Sequence, residues 1–259
     1  MIIKSLCLVI LLGVAVQTRA QIPASQSNEQ IRVDVIALNN RGLTHFRAGR
    51  FREAADDFRL AVQLKPDFAA GLNNLGMAEL LLGQPAEAVS SLERAVTLSP
   101  ASVEAHYNLG SAYLNMSRYR AAVTSYQRAI SLEPNFTKAH NNMGVALQRL
   151  RKFDEAARAY VLAIAAEPNN ATAHNNLGTT KAESGDYEEA VRAFERAVSL
   201  NPQLVVARYN LGVVFLRVKN REMAVQQHRS LLELDSRLAE RLFTGIYQGK
   251  VLSVASVPR

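Results

Sequence analysis

The feature that most constrains this 259-residue chain is a short string that returns every 34 residues. Asn74-Leu75-Gly76, Asn108-Leu109-Gly110, Asn142-Met143-Gly144, Asn176-Leu177-Gly178 and Asn210-Leu211-Gly212 keep that spacing, and one step earlier stands Asn40-Arg41-Gly42. Six units therefore span 35–68, 69–102, 103–136, 137–170, 171–204 and 205–238. With Val35 as position 1, position 8 is Gly and position 20 is Ala in all six units. Position 27 is Ala in five units and Leu231 in the last, and position 32 is Pro in five and Ser236 in the last. Position 24 is bulky (Phe58, Leu92, Tyr126, Tyr160, Phe194) until His228.

Each unit reads as two helical stretches with a turn near position 15, as in Ser184-Gly185-Asp186-Tyr187. Asp186 is placed to cap the second helix of its unit, with Glu189 three residues on as its capping-box partner. Gly at 8 and Ala at 20 let the paired helices approach closely. Pro at 32 disfavours helix at the residue before it. One unit cannot bury its apolar stripe alone, but stacked neighbours can, so the expected product is a solenoid. In the last unit Leu238, Leu242 and Ile246 recur at i, i+4 and i+8, which predicts a capping helix over 235–248 stopped by Gly249. The remaining tail, VLSVASVPR, is extended in character.

These sites resemble the tetratricopeptide repeat family over about four fifths of the chain. The resemblance implies an all-α fold, a right-handed α-solenoid of six helix-turn-helix units, with the first helices lining a concave groove. Position 6 is Asn throughout: Asn40, Asn74, Asn108, Asn142, Asn176 and Asn210. At ~100° per residue it lies about 150° from the packed positions 4, 7, 8 and 11, so the six form a row on the free face. The AHNNMG string at 139–144 and the AHNNLG string at 173–178 are similar to the repeat array of the O-linked N-acetylglucosamine transferase. That resemblance implies an Asn ladder holding an extended peptide by its backbone, and it implies no catalysis.

An Asn amide is both donor and acceptor, like a peptide group. Repeats ~10 Å apart would let a ligand of about 15 extended residues run the full row. Tyr107, Asn141, Asn175 and Tyr209 at position 5, and Arg149 at position 13, complete the candidate peptide-binding set. In the alternative reading each Asn bonds the backbone of its own or the next repeat as a structural device. A carboxylate clamp of paired Lys and Asn, found in a related group of these repeats, is unsupported: position 5 carries no Lys and position 9 no Asn.

The N-terminus reads as an address. Lys4, an apolar run from Leu6 to Val16, and small residues Thr18 and Ala20 before Gln21 form a secretory signal pattern with cleavage after Ala20. Residues 21–34 read as a leader into the repeats. The apolar run is far short of the ~20 residues a span needs, so no membrane span is expected after cleavage. The lone Cys7 lies inside the signal, which removes thiol chemistry from the mature chain. The net charge of +7 is spread without a basic run of five, and this argues against a nucleic-acid footprint.

His106, His140 and His174 recur at position 4, but copies a repeat apart are too distant to share a metal ion. Acid pairs such as Asp56-Asp57 and Glu188-Glu189 near the starts of second helices suit the helix dipole. No catalytic motif, cofactor or metal site is read. The expectation is an exported, non-enzymatic protein-interaction scaffold or adaptor for an unidentified partner protein. The alternatives are a self-assembling solenoid docking by its C-terminal helix and tail, and a glycan-binding module using the same groove.

Overall fold

The structure is a computed structural model that describes residues 28–255. The signal sequence read over 1–20 and the start of the leader lie outside the described residues. The regular elements among the described residues are all helices, in six pairs and a final single helix. The pairs are α1 (Asn28–Arg47) with α2 (Phe51–Leu64), α3 (Ala69–Leu81) with α4 (Pro85–Leu98), and α5 (Val103–Asn115) with α6 (Tyr119–Leu132). They continue with α7 (Thr137–Arg149) and α8 (Phe153–Ala166), α9 (Ala171–Ser184) and α10 (Tyr187–Leu200), and α11 (Val205–Arg217) and α12 (Arg221–Leu234), closed by α13 (Ser236–Gln248). Residues 28–34, read from sequence as leader, are the opening turns of α1, where Gln30 donates to Asp34 across one turn at 2.9 Å.

Each helix packs on its neighbours in sequence, and the first helices of successive pairs also touch one another, from α1 on α3 to α9 on α11. The backbones of the second helices make no such close approach to one another among the described residues. The first helices are therefore the crowded inner side of the curve, and the second helices fan out behind them. This arrangement is a solenoid of the kind the 34-residue period predicts.

The spacing within a pair is set where position 24 meets position 8. Phe58, Leu92, Tyr126, Tyr160 and Phe194 are fully buried against Gly42, Gly76, Gly110, Gly144 and Gly178. A Cβ at any of these glycines would lie 2.5 to 2.8 Å from the opposing side chain, so even alanine forces the pair apart. The Ala at position 20 is wholly buried in every unit, and position 27 is at most 1% exposed from Ala61 through Ala95, Ala129 and Ala197. In the sixth unit His228 turns to Phe243, with ring centroids 5.8 Å apart, and Leu242 of α13 seats on Gly212 instead. The capping helix thus supplies the side chain that the last unit lacks.

Between units, the Pro at position 32 does more than end a helix. Its carbonyl accepts from the ring Nε2 of position 4 in the next unit: His106 on Pro100 at 3.0 Å, His140 on Pro134 at 2.8 Å and His174 on Pro168 at 3.0 Å. Arg208 makes the same bond to Pro202 at 3.1 Å. The histidines are inter-repeat fasteners, and among the described residues no cluster of three metal-ligating side chains occurs. Asp57 also differs from the dipole reading. It is buried and takes a two-point bond from Arg41 of α1, at 2.8 and 2.5 Å. Asp186 caps α10 through the Glu189 amide, but the Glu189 carboxylate pairs with Lys181 at 2.6 Å rather than closing a capping box.

Position 15 is left-handed in all six units: Gly49, Gly83, Ser117, Arg151, Gly185 and Lys219, with φ from 58° to 89°. A side chain there costs roughly 1–2 kcal/mol, while glycine adds back roughly 0.4–1 kcal/mol of unfolded-chain entropy. Ser117→Gly, Arg151→Gly and Lys219→Gly are each expected to stabilise the fold by about 0.5–1 kcal/mol in urea titrations. Buried Glu79, which accepts from Ser91 at 2.9 Å, has its carboxyl pushed above the usual range by burial, against the opposing pull of Ser91 and Arg59. A raised folded pKa means the neutral form is the one the fold favours, so stability falls as pH rises through the carboxylate range. Glu79→Gln is expected to remove that part of the pH dependence and to be more stable than the parent at pH 7, measured by denaturation at pH 4 and pH 7.

Candidate functional site

The position-6 side chains stand on the inner helices, each at a junction between units. Asn74 Nδ2 donates to Asn39 Oδ1 at 3.0 Å, and Asn108 to Asn73 at 2.9 Å. Asn142 donates to the Tyr107 hydroxyl at 3.1 Å, Asn176 to Asn141 at 3.2 Å and Asn210 to Asn175 at 3.3 Å. Position 6 of each unit thus bonds position 5 of the unit before it, at every junction. Asn40, in the first unit, is exposed and has no such neighbour among the described residues.

This bond uses one of the two Nδ2 hydrogens and fixes the amide plane. The second hydrogen is left over for the groove, and so is Oδ1 at Asn142, whereas Asn176 Oδ1 accepts from Asn175 Nδ2 at 3.4 Å. Asn210 shows what they can hold. Its Nδ2 donates to the Ala255 carbonyl at 2.8 Å, and its Oδ1 accepts from the Ala255 amide at 2.6 Å. Both polar groups of one backbone residue are satisfied by one side chain, which reads an extended chain without regard to its side chains. Arg217 at position 13 adds a bond to the Leu252 carbonyl at 2.7 Å, and the Tyr209 hydroxyl one to the Ser253 carbonyl at 3.3 Å.

Beyond this segment a groove of about 1100 Å³ opens over the third to fifth units. Asn141, Asn142, Asn176, Thr179 and Arg149 line it, together with Val254 of the tail. Asn142 and Asn176 are half-buried and Arg149 exposed, whereas Asn175, Tyr209 and Asn210 are fully buried beneath the tail. Tyr107 lies among Tyr126 and Phe136, with ring centroids 5.8 and 5.1 Å away. Burial pushes its phenol pKa up, which keeps it neutral, and the bonds from Ser111 and Asn142 oppose that shift only in part. Burial does the same to Tyr209, opposed by Arg241, whose guanidinium stacks 4.9 Å over the ring. Among the predicted site residues, the structure brings Asn141, Asn142, Asn176 and Arg149 to one groove. It sets Asn40, Asn74 and Asn108 further along the same face. Arg217 carries part of the grip, although its sequence signal was only an Arg in a mixed column.

Tetratricopeptide repeat profiles match residues 103–136 in one form, and 28–69, 39–103, 141–203 and 175–227 in another. The chain belongs to the tetratricopeptide repeat family. As a member of this repeat family it falls in the general class of protein-interaction scaffolds. Solved structures similar to it include MamA, 28% identical with a TM-score of 0.59 over 62% of this chain and 94% of that one. The pilF protein of Pseudomonas aeruginosa is 17% identical with a TM-score of 0.70, over 83% of this chain and 98% of that one. YrrB, described as a tetratricopeptide repeat protein with an unusual peptide-binding site, is 21% identical with a TM-score of 0.61, over 73% and 99%. No curated protein matches the chain in sequence. No helix among the described residues is long and apolar enough to cross a membrane.

Replacing the Tyr107 hydroxyl tests the inter-repeat bond directly. Tyr107→Phe keeps the ring packing and strands Asn142 Nδ2, an expected loss of about 1 kcal/mol. Urea denaturation with an unchanged midpoint would show that the bond at this junction contributes nothing.

Proposed function

We propose that the chain is an exported, non-enzymatic scaffold whose concave groove holds an extended segment of a partner protein by its backbone. The observation that supports this most is the two-point bond between Asn210 and the backbone of Ala255. Asn142 and Asn176 carry the same orienting bond to the preceding unit and line the groove. Each amide plane is therefore fixed before any partner arrives, and a backbone amide would take the place that Asn175 Nδ2 holds, at 3.4 Å, on Asn176 Oδ1. Preorganisation of this kind lowers the ordering cost of binding. The structural and ligand-holding readings of the Asn row are then two uses of one amide, with one hydrogen spent on the neighbour and the other left for the groove.

The mixed lining, with Arg149 beside Glu183 and Val145, favours backbone recognition over a single side-chain code. The likeness to YrrB is one of fold, and its described peptide-binding site agrees with this use of the fold. Export rests on the signal pattern of residues 1–20, and the secreted or periplasmic product would begin at Gln21.

Peptides selected from a random display library on the immobilised mature chain are expected to lose at least tenfold in affinity for the Asn142→Ala/Asn176→Ala variant, whose circular dichroism stays that of the parent. Equal affinity would move the site off the Asn row. N-terminal sequencing of the protein from the extracellular or periplasmic fraction should read Gln21 first, and retention of Met1 would remove the export reading.

A further inference from the structure

The segment after α13 turns back onto the inner face of the solenoid. Gly249 ends α13 in the left-handed conformation with φ 65°, and the chain then runs extended to Ala255. Val251 and Ser253 face solvent, while Leu252 and Val254 are partly buried, an alternation of period two. Leu252, Val254 and Ala255 pack on the core formed by α11 and α13. Backbone groups at three of the four positions 252–255 are gripped: the Leu252 carbonyl by Arg217, the Ser253 carbonyl by Tyr209 and both groups of Ala255 by Asn210.

Gly245 gives a second, separate sign of a built seat. A Cβ there would lie 2.5 Å from Leu252 Cδ1 and 3.0 Å from Leu216 Cδ1. Glycine weakens a helix interior, and here it opens a notch in α13 that admits the Leu252 side chain. The seat thus combines side-chain sockets with a backbone reader, as a peptide site does.

We infer that residues 252–255 are a resident ligand of the groove, held in cis, and that a partner strand must displace them to engage the sixth unit. The inference rests on the groove reading above and adds what the strand should look like. It is an extended segment with two aliphatic residues spaced by one, followed by a small residue, as in Leu252-Ser253-Val254-Ala255. Three features support displacement over permanent docking. The segment has no regular structure, it is attached through only Lys250 and Val251 after the Gly249 stop, and its Val254 lines the open groove together with Asn142 and Asn176. A strand lying along the fourth and fifth units toward the sixth would meet Val254 and Ala255 first.

The probe is a fluorescent synthetic peptide of residues 249–259, GKVLSVASVPR, titrated into the full mature chain. Ala255→Pro removes the amide that donates to Asn210 and leaves every helix untouched. Gly245→Val ejects Leu252 from the other side without altering any groove atom. Both variants are expected to bind the probe at least tenfold more tightly than the parent, and adding Asn210→Ala to Ala255→Pro should abolish that gain. Hydrogen exchange should find the Ala255 amide protected in the parent and exchanging at the free-peptide rate in Asn210→Ala.

An unprotected Ala255 amide in the parent overturns the inference. So does a protected amide with equal probe affinity in all three chains, because the segment would then be a fixed part of the fold. A parent that sediments as a dimer, and becomes monomeric on Ala255→Pro, overturns the cis assignment in favour of a second copy. These outcomes are independent of the library selection: loss at Asn142 and Asn176 can stand while gating fails, and a protected Ala255 can stand while that selection fails.

Discussion

The approach of a bulky side chain at position 24 onto a bare glycine at position 8 is the contact on which the rest of this structure depends. Because the glycine offers no Cβ, Phe58, Tyr126, Tyr160 and Phe194 come to rest over the first helix itself, and the helix pair closes to a fixed depth. Every unit then has the same shape, so every junction repeats. Repeated junctions are what allow position 6 of one unit to meet position 5 of the unit before, five times over, with donor–acceptor distances between 2.9 and 3.3 Å. A pair held apart by one methyl group would lose that register, and the row of amides with it.

In the function proposed above, the ladder serves structure and binding together. An Asn amide has more hydrogen-bonding capacity than one inter-repeat bond consumes. Packing fixes its plane, and the remaining capacity is aimed. At Asn210 that capacity meets a backbone, and at Asn142 and Asn176 it meets the open groove. A free Asn on a helix surface would pay rotamer entropy on binding, and the inter-repeat bond has already met that cost during folding.

The end of the array follows different rules. The sixth unit has no successor to cover it, and α13 takes that role by placing Leu242 where a position-24 side chain would stand. That substitution frees His228 to pack on Phe243. It also brings the chain out at Gly249 close to the inner face, within reach of Arg217, Tyr209 and Asn210. The terminal segment lies in the groove because the cap delivers it there.

Much of this was legible in the sequence. The 34-residue period, Gly at 8, Ala at 20 and Pro at 32 determined the helix pairs and their stacking, because each is a local steric or conformational requirement that a residue type states outright. The inward row of Asn40 to Asn210 was also readable, since helical periodicity alone assigns faces. The left-handed turn at Ser117, Arg151 and Lys219 was visible only by analogy with Gly49, Gly83 and Gly185, as those residues do not advertise it. The partner of each Asn, the bonds of His106, His140 and His174 to proline carbonyls, the use of Glu189 by Lys181 and the seat of Leu252 over Gly245 were decided by the tertiary structure alone. They depend on distances between groups 6 to 45 positions apart, from His106 with Pro100 to Asn210 with Ala255. Periodicity assigns a residue to a face, but only the packed units bring a donor within reach of its acceptor.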